Sequence, residues 1–193
     1  MIKVTITGTN AILLHKYTVN TVSEPKGRGI KGRDSANYSD EWIKATYLND
    51  DGNLILPALN LIACIFDGAR QYKIGKKAST RIVATALKVF PQEPLLKVSG
   101  KLITIDDIRK NPLWLHTTGA VISGRRVDRV RTMLPKGWTV DFEIDYDNEA
   151  LALDDVRNIL EIAGSRAGLG DWRPSAPKKP GPYGTFEITK FEE

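Results

Sequence analysis

Apolar and polar residues alternate at the start of the chain. In IKVTIT, Ile2, Val4 and Ile6 face one way and Lys3, Thr5 and Thr7 the other, the period-2 pattern of a strand with one buried face. From about Thr18 to Ser39 the pattern gives way to a polar, glycine-rich stretch with KGRGIKGR at 26–33, which predicts a segment without packed structure of its own. YSDEWIKATYL predicts a short helix capped by Ser39 or Asp40, and Asp51-Gly52 between apolar runs predicts a hairpin turn. After Pro57 a helix is predicted over about 58–71, with Leu59, Ile62, Ala63, Phe66 and Ala69 or Arg70 on its apolar face.

Further along, KKASTRIVATAL predicts a helix, LLKVSGKLITI a hairpin, and IDDIRKNPLWLH a helical turn stopped by Pro112. VISGRRVDRVRTML and WTVDFEIDYD read as two strands joined by PKGW. LALDDVRNILEIAGSRAG is an amphipathic helix with Val156, Ile159, Leu160 and Ala163 on one face and Asp154 and Asp155 suiting its first turn; TFEITKF is the last strand. With insertions at about 18–39 and 73–118 set aside, the order is strand, helix, strand, strand, helix, strand. That order predicts an α+β fold of ferredoxin-like or RRM-like type, one antiparallel sheet with two helices on one face. A length of 193 residues suits a single domain over 1–193 that carries both insertions.

Charge narrows the class of partner. Twenty-eight lysines and arginines against 23 acids give a net charge of +5, which favours an anionic ligand. The cations are clustered: Lys16, Lys26, Arg28, Lys31 and Arg33 against Glu24; Arg70, Lys73, Lys76, Lys77, Arg81 and Lys88 with no acid among them; and Arg125, Arg126, Arg129, Arg131 and Lys136 against Asp128. On a strand, Arg129 and Arg131 stand on one face about 7 Å apart, close to the spacing of consecutive phosphates. Acids concentrate over 141–161, as a solvated face or as one pole of a head-to-tail contact between copies.

Several functions are excluded by what the chain lacks. Cys64, the single cysteine, lies among apolar neighbours in LNLIACIFDGA and reads as a buried structural thiol with no disulfide partner. No apolar run approaches the roughly 20 residues of a membrane span, and MIKVTITGTNAILLHKY lacks a charged leader followed by a long apolar core. The expectation is a cytoplasmic protein, in a bacterium or a phage-infected host, with no membrane partner. Two histidines and one cysteine far apart make no zinc spacing, and neither a Walker loop nor a dinucleotide fingerprint occurs, so no metal and no cofactor is expected.

The richest stretch is GSRAGLGDWRPSAPKKPGPYGTFE at 164–187. Gly168, Gly170 and Gly181 offer main-chain amides bare of side chains. Arg173, Lys178 and Lys179 supply charge, and Trp172 and Tyr183 flat faces on which unpaired bases stack. This combination suits single-stranded nucleic acid. Placed just before the last strand, the loop resembles the glycine-rich signature of the RAMP superfamily, the RNA-binding proteins of CRISPR systems, with Gly168, Gly170, Gly181, Gly184 and Phe186 as the matching residues. TITGTNAILLHK, YLNDDGNLILPALN, GLGDWRP and GPYGTFEI are also similar to small phage and prophage proteins related to CRISPR backbone subunits.

The resemblance implies a protein that polymerises along single-stranded RNA, as a homo-oligomer or filament or with other subunits of a ribonucleoprotein; single-stranded DNA stays open as the alternative. The candidate binding residues are Lys16, Lys26, Arg28, Lys31, Arg33, Lys76, Lys77, Arg81, Arg125, Arg126, Arg129, Arg131, Gly168, Gly170, Trp172, Arg173, Lys178, Lys179 and Gly181. Because some members of that superfamily cleave RNA through its own 2′-hydroxyl without metal, His15 beside Lys16 is the candidate acid or base of an enzymatic alternative. His116, in PLWLHTT, reads as a partly buried structural side chain. A third reading is a protein-binding inhibitor that acts through the acidic segment.

Overall fold

The computed structural model describes residues 1–16, 41–122 and 125–193. The arm expected at 18–39, with Lys26, Arg28, Lys31 and Arg33, and the proposed caps Ser39 and Asp40 lie outside the described residues. In chain order the elements are β1 (Ile2–Gly8), β2 (Ile12–Leu14), α1 (Glu41–Lys44), α2 (Ala58–Ala69), β3 (Lys73–Ile74), β4 (Lys77–Ala78), α3 (Ser79–Ala86), β5 (Leu87–Phe90), β6 (Leu96–Val98), β7 (Lys101–Leu102), α4 (Ile105–Lys110), β8 (Leu115–Ile122), β9 (Arg125–Leu134), β10 (Trp138–Tyr146), α5 (Leu153–Ile162) and β11 (Phe186–Glu192). A π-helical turn, Ala163–Ala167, extends α5.

The fold is α+β, and its strands pair antiparallel. The main sheet runs β11-β1-β10-β6-β7, and β5 shares with β6 the edge of β10 away from β1. The alternation read from the sequence orients it: Ile2, Val4 and Ile6 are buried, as are Val140, Phe142 and Ile144 on the facing strand. Burying each such side chain contributes about 1.5–3 kcal/mol. Strands β5 and β6 come from the stretch set aside as the 73–118 insertion, yet they pair with β10 and belong to the central sheet.

Helices α2 and α5 pack together over the buried face. The face expected on α5 is the buried one, with Val156, Ile159, Leu160 and Ala163 enclosed. On α2 the expectation holds in part: Ala69 is buried and Ile62 and Phe66 are partly buried against the core, but Ala58, Leu61, Cys64, Ile65 and Gly68 form the rest of the buried face, while Ala63 is exposed and Leu59 is 71% exposed. Two apolar stripes run along this helix, and the close approach of α5 selects the one with small residues. The Cys64 thiol donates to the Ala163 carbonyl at 3.5 Å, and a methyl group at Gly68 would lie 2.6 Å from the Ile159 carbonyl oxygen.

A three-stranded sheet, β2-β9-β8, continues the main one past a bend. β1 and β10 are neighbours in the first sheet and β2 and β9 in the second, so the pair turns the corner together, where the Gly137 amide donates to the Gly8 carbonyl at 2.9 Å. PKGW therefore connects two sheets. Val121 and Ile122, read as the start of one long strand, belong instead to β8, which pairs with β9 from Leu115↔Thr132 to Ile122↔Arg125. No helix among the described residues is long and apolar enough to cross a membrane.

Gly68→Ala pits helix propensity against packing. The substitution raises helix propensity by about 1 kcal/mol, but the overlap with Ile159 and Ala163 costs about 1–3 kcal/mol. The expected result is a urea midpoint below that of the parent, and a midpoint above it would contradict the close crossing.

Candidate nucleic-acid interface

Residues 168–185 return from the end of α5 to β11 by crossing the small sheet. The amides of Gly168, Leu169, Asp171, Gly181 and Gly184 donate to the carbonyls of Ala163, Gly184, Leu13, Arg173 and Ala11, at 2.7–3.3 Å. The expectation that Gly168 and Gly181 offer free amides therefore fails: the chain itself takes these donors. The glycines serve close backbone contact. At Gly170 (φ +78) an added methyl group would overlap the Leu13 carbonyl, and at Gly184 (φ +73) the Leu169 carbonyl; at Gly181 it would lie 2.7 Å from the Trp172 carbonyl.

A second cluster holds the loop down. Arg131 and His116 are direct partners across β9 and β8. The Arg131 side chain is only 13% exposed; its Nε lies 2.7 Å from Asp171 Oδ2, its Nη1 donates to Thr118 at 2.9 Å, and its guanidinium sits 5.3 Å from the Trp172 ring centre. The pair of arginines expected to face consecutive phosphates is thus broken, because Arg131 is committed to the loop that covers it. Trp172 and Tyr183 meet the His116 ring edge-on at 5.6 and 5.7 Å, so both aromatics expected as stacking platforms are packed into this cluster. His116 is partly buried, as expected, and its Nδ1 has no hydrogen-bond partner among the described residues.

Between this loop and α2 lies a groove of two adjoining clefts. The inner one, of about 190 Å³, is lined by Leu14, His15, Tyr47, Asn60, Ala63, Cys64, Arg173 and residues 168–171. The outer one, of about 450 Å³, is lined by Ala63, Phe66, Asp67, Arg70, Thr80 and Arg173. Four sequence-predicted residues, His15, Gly168, Gly170 and Arg173, thus converge on the inner cleft, and Arg173 belongs to both. Its Nε donates to Ser175 Oγ at 3.0 Å and its Nη1 to the Gly170 carbonyl at 3.2 Å. Both acceptors are neutral, and among the described residues no carboxylate pairs with this guanidinium. Two of its five N–H groups are used, so the cation is oriented with its charge uncompensated.

The acids at the groove are already engaged. Asp67 pairs with Arg70 at 2.6 Å and accepts from Ser175 at 2.8 Å, while Asp171 is held by Arg131. Burial pushes the Cys64 thiol far above its ordinary range, with Asp67 adding to the effect, so this cysteine is an inert wall. Lys76, in the turn between β3 and β4, Lys77, on β4, and Arg81, on α3 next to the cleft residue Thr80, are exposed; Lys16 is exposed beyond His15, and Lys178 and Lys179 are exposed on the loop. Arg129 is half-buried on the same face of β9 as Arg131; Arg125 and Arg126 lie at the far end of that strand, away from the loop.

On the open face of the main sheet acids and lysines stand side by side: in the strand register Glu143 lies opposite Lys3 and Asp145 opposite Lys88. Asp141 accepts from Thr5 at 2.6 Å and Lys97 at 2.7 Å; burial works against its ionised form, but these two partners hold the carboxyl below its usual range. Glu143 and Asp145 follow at alternate positions on β10. Sequence reasoning missed Tyr47, Asn60, Phe66, Asp67 and Thr80 as groove residues, and Ser175 as the link between Arg173 and Asp67. The usable signal was Asp67 and Arg70 at three-residue spacing on a helix.

Compared with models of known families the chain matches none, and no curated protein matches it.

Burial, and after it the charge of Arg131, holds His116 below the usual histidine range. The unfolded chain takes up this proton near pH 6.5 while the folded chain resists it, so stability is complete above that pH and declines as the pH falls below it. The expected result is a urea midpoint that drops less between about pH 7 and pH 5 in His116→Gln than in the parent. Parallel curves would contradict a neutral His116 in the loop cluster.

Proposed function

We propose that the protein binds single-stranded nucleic acid, RNA first, in the groove between α2 and the glycine loop, on a ferredoxin-like core of RAMP type. The observation that carries this reading is Arg173, a guanidinium fixed by neutral acceptors where the two clefts meet. Phosphates pass along the groove past Arg173 and Arg70 toward Lys76, Lys77 and Arg81. Tyr47 and Phe66 offer apolar ring surface for bases in the two clefts. The strand order β11-β1-β10 followed by β5 and β6, with α2 and α5 on one face, supports the ferredoxin-like reading. The glycine loop acts as the bracket that presents Arg173 rather than as a cradle of free amides. Copies assemble side by side along the strand.

A charge-assisted contact to phosphate is worth about 1.5–3 kcal/mol. Arg173→Ala is therefore expected to weaken binding of a labelled single-stranded oligonucleotide by about tenfold to a hundredfold and to lower the logarithmic salt slope by about 0.7. Gel-shift titrations at several salt concentrations read both effects. Equal affinity in the parent and Arg173→Ala, or no binding by the parent at low salt, would overturn the reading.

A second reading, metal-independent RNA cleavage, is favoured by His15 and Arg173 lining the same inner cleft. There the imidazole would move the proton of a 2′-hydroxyl and the guanidinium would steady the phosphate. Labelled RNA incubated with EDTA is then expected to be cut by the parent and spared by His15→Ala. Intact RNA with the parent, or equal cutting by both, would exclude it.

A further inference from the structure

We infer that Asp67 and Ser175 make the outer cleft a counter-charged phosphate seat, in which one carboxylate holds Arg70 directly and orients Arg173 through Ser175 until a phosphate of the ligand takes the two arginines over. The seat, which rests on the single-strand reading for its ligand, is built from a continuous chain of contacts. Arg173 Nε donates to Ser175 Oγ (3.0 Å), Ser175 Oγ donates to Asp67 Oδ2 (2.8 Å), and Arg70 Nη1 donates to Asp67 Oδ1 (2.6 Å). Arg70, Asp67 and Arg173 line one cavity of about 450 Å³, with Phe66 on its wall and Thr80, from the first turn of α3, adding a hydroxyl.

The charge count explains why such a cavity favours a phosphodiester. Two guanidiniums against one carboxylate leave one positive charge, and a phosphodiester carries one negative charge whose oxygens match the guanidinium fork. The Asp67 side chain is 17% exposed and that of Arg70 69%, so the carboxylate is fixed while the Arg70 head is free to swing toward an arriving anion. Asp67 consequently plays two roles. Through Ser175 it orients Arg173, and by its charge it repels the phosphate that it helps to receive.

These roles give opposite signs on substitution. Asp67→Asn keeps an acceptor for Ser175 and removes the charge; it is expected to tighten a fluorescein-labelled single-stranded oligonucleotide by about threefold to tenfold in fluorescence anisotropy. Ser175→Ala cuts the link to Arg173 and is expected to weaken the same complex by about twofold to fivefold. Inorganic phosphate titrated into nitrogen-15-labelled parent is expected to shift the Nε–H signals of both Arg70 and Arg173. Unchanged or weaker binding by an Asp67→Asn variant that melts like the parent would overturn the seat; if that variant does not fold, absence of phosphate shifts at the two arginines overturns it. If phosphate shifts both arginines but no oligonucleotide binds, the seat stands and the single-strand reading falls. If an oligonucleotide binds while neither variant nor arginine signal responds, the seat falls and that reading stands.

Discussion

Main-chain carbonyls fix the path of the chain between α5 and β11. The oxygens of Phe186, Leu13 and Leu169 stand where side chains at 164, 170 and 184 would project, so the segment closes onto β2 and onto itself only because glycine occupies those positions. With Gly170 against Leu13, the Asp171 amide reaches the Leu13 carbonyl and the Asp171 carboxylate reaches Arg131. Trp172 then adopts φ +50 and packs on Arg131 and His116, and Arg173 emerges on the α2 side of the loop. The placement of one functional cation thus follows from contacts between backbones.

Charge compensation separates this groove from the open face of the main sheet. On the open sheet face, Asp141 is paired with Lys97, and Glu143 and Asp145, the next acids along β10, stand opposite Lys3 and Lys88. A polyanion laid there meets acids set among lysines that already compensate them. In the groove the carboxylates of Asp67 and Asp171 are spent on Arg70 and Arg131, and Arg173 keeps its charge. Net charge alone would not make this distinction, since cations and acids occur on both surfaces.

What the sequence disclosed follows from which interactions are local. The alternation in IKVTIT, the apolar face of α5, the turn at Asp51-Gly52 and the β6–β7 hairpin each depend on neighbours within a few residues, and each is found where periodicity and turn chemistry put it. The buried face of α2 was legible only in part, because two apolar stripes satisfy helical spacing and α5 chooses between them. Nor was the division of β9 and β10 between two sheets, which rests on the corner shared with β1 and β2. At the site, Arg173, His15, Gly168 and Gly170 were singled out and do line one cleft. The roles given to the glycine amides and to Arg131 failed for a single reason: a sequence does not say which donors the fold itself consumes.

Hydrogen exchange measured by mass spectrometry, with and without a saturating single-stranded oligonucleotide, tests most directly whether the ligand lies in the groove. The account predicts slowed exchange in peptides covering α2 and residues 168–175, with no change in those covering β10 and β11. Slowing confined to β10 and β11, with α2 and the loop unaffected, would contradict it.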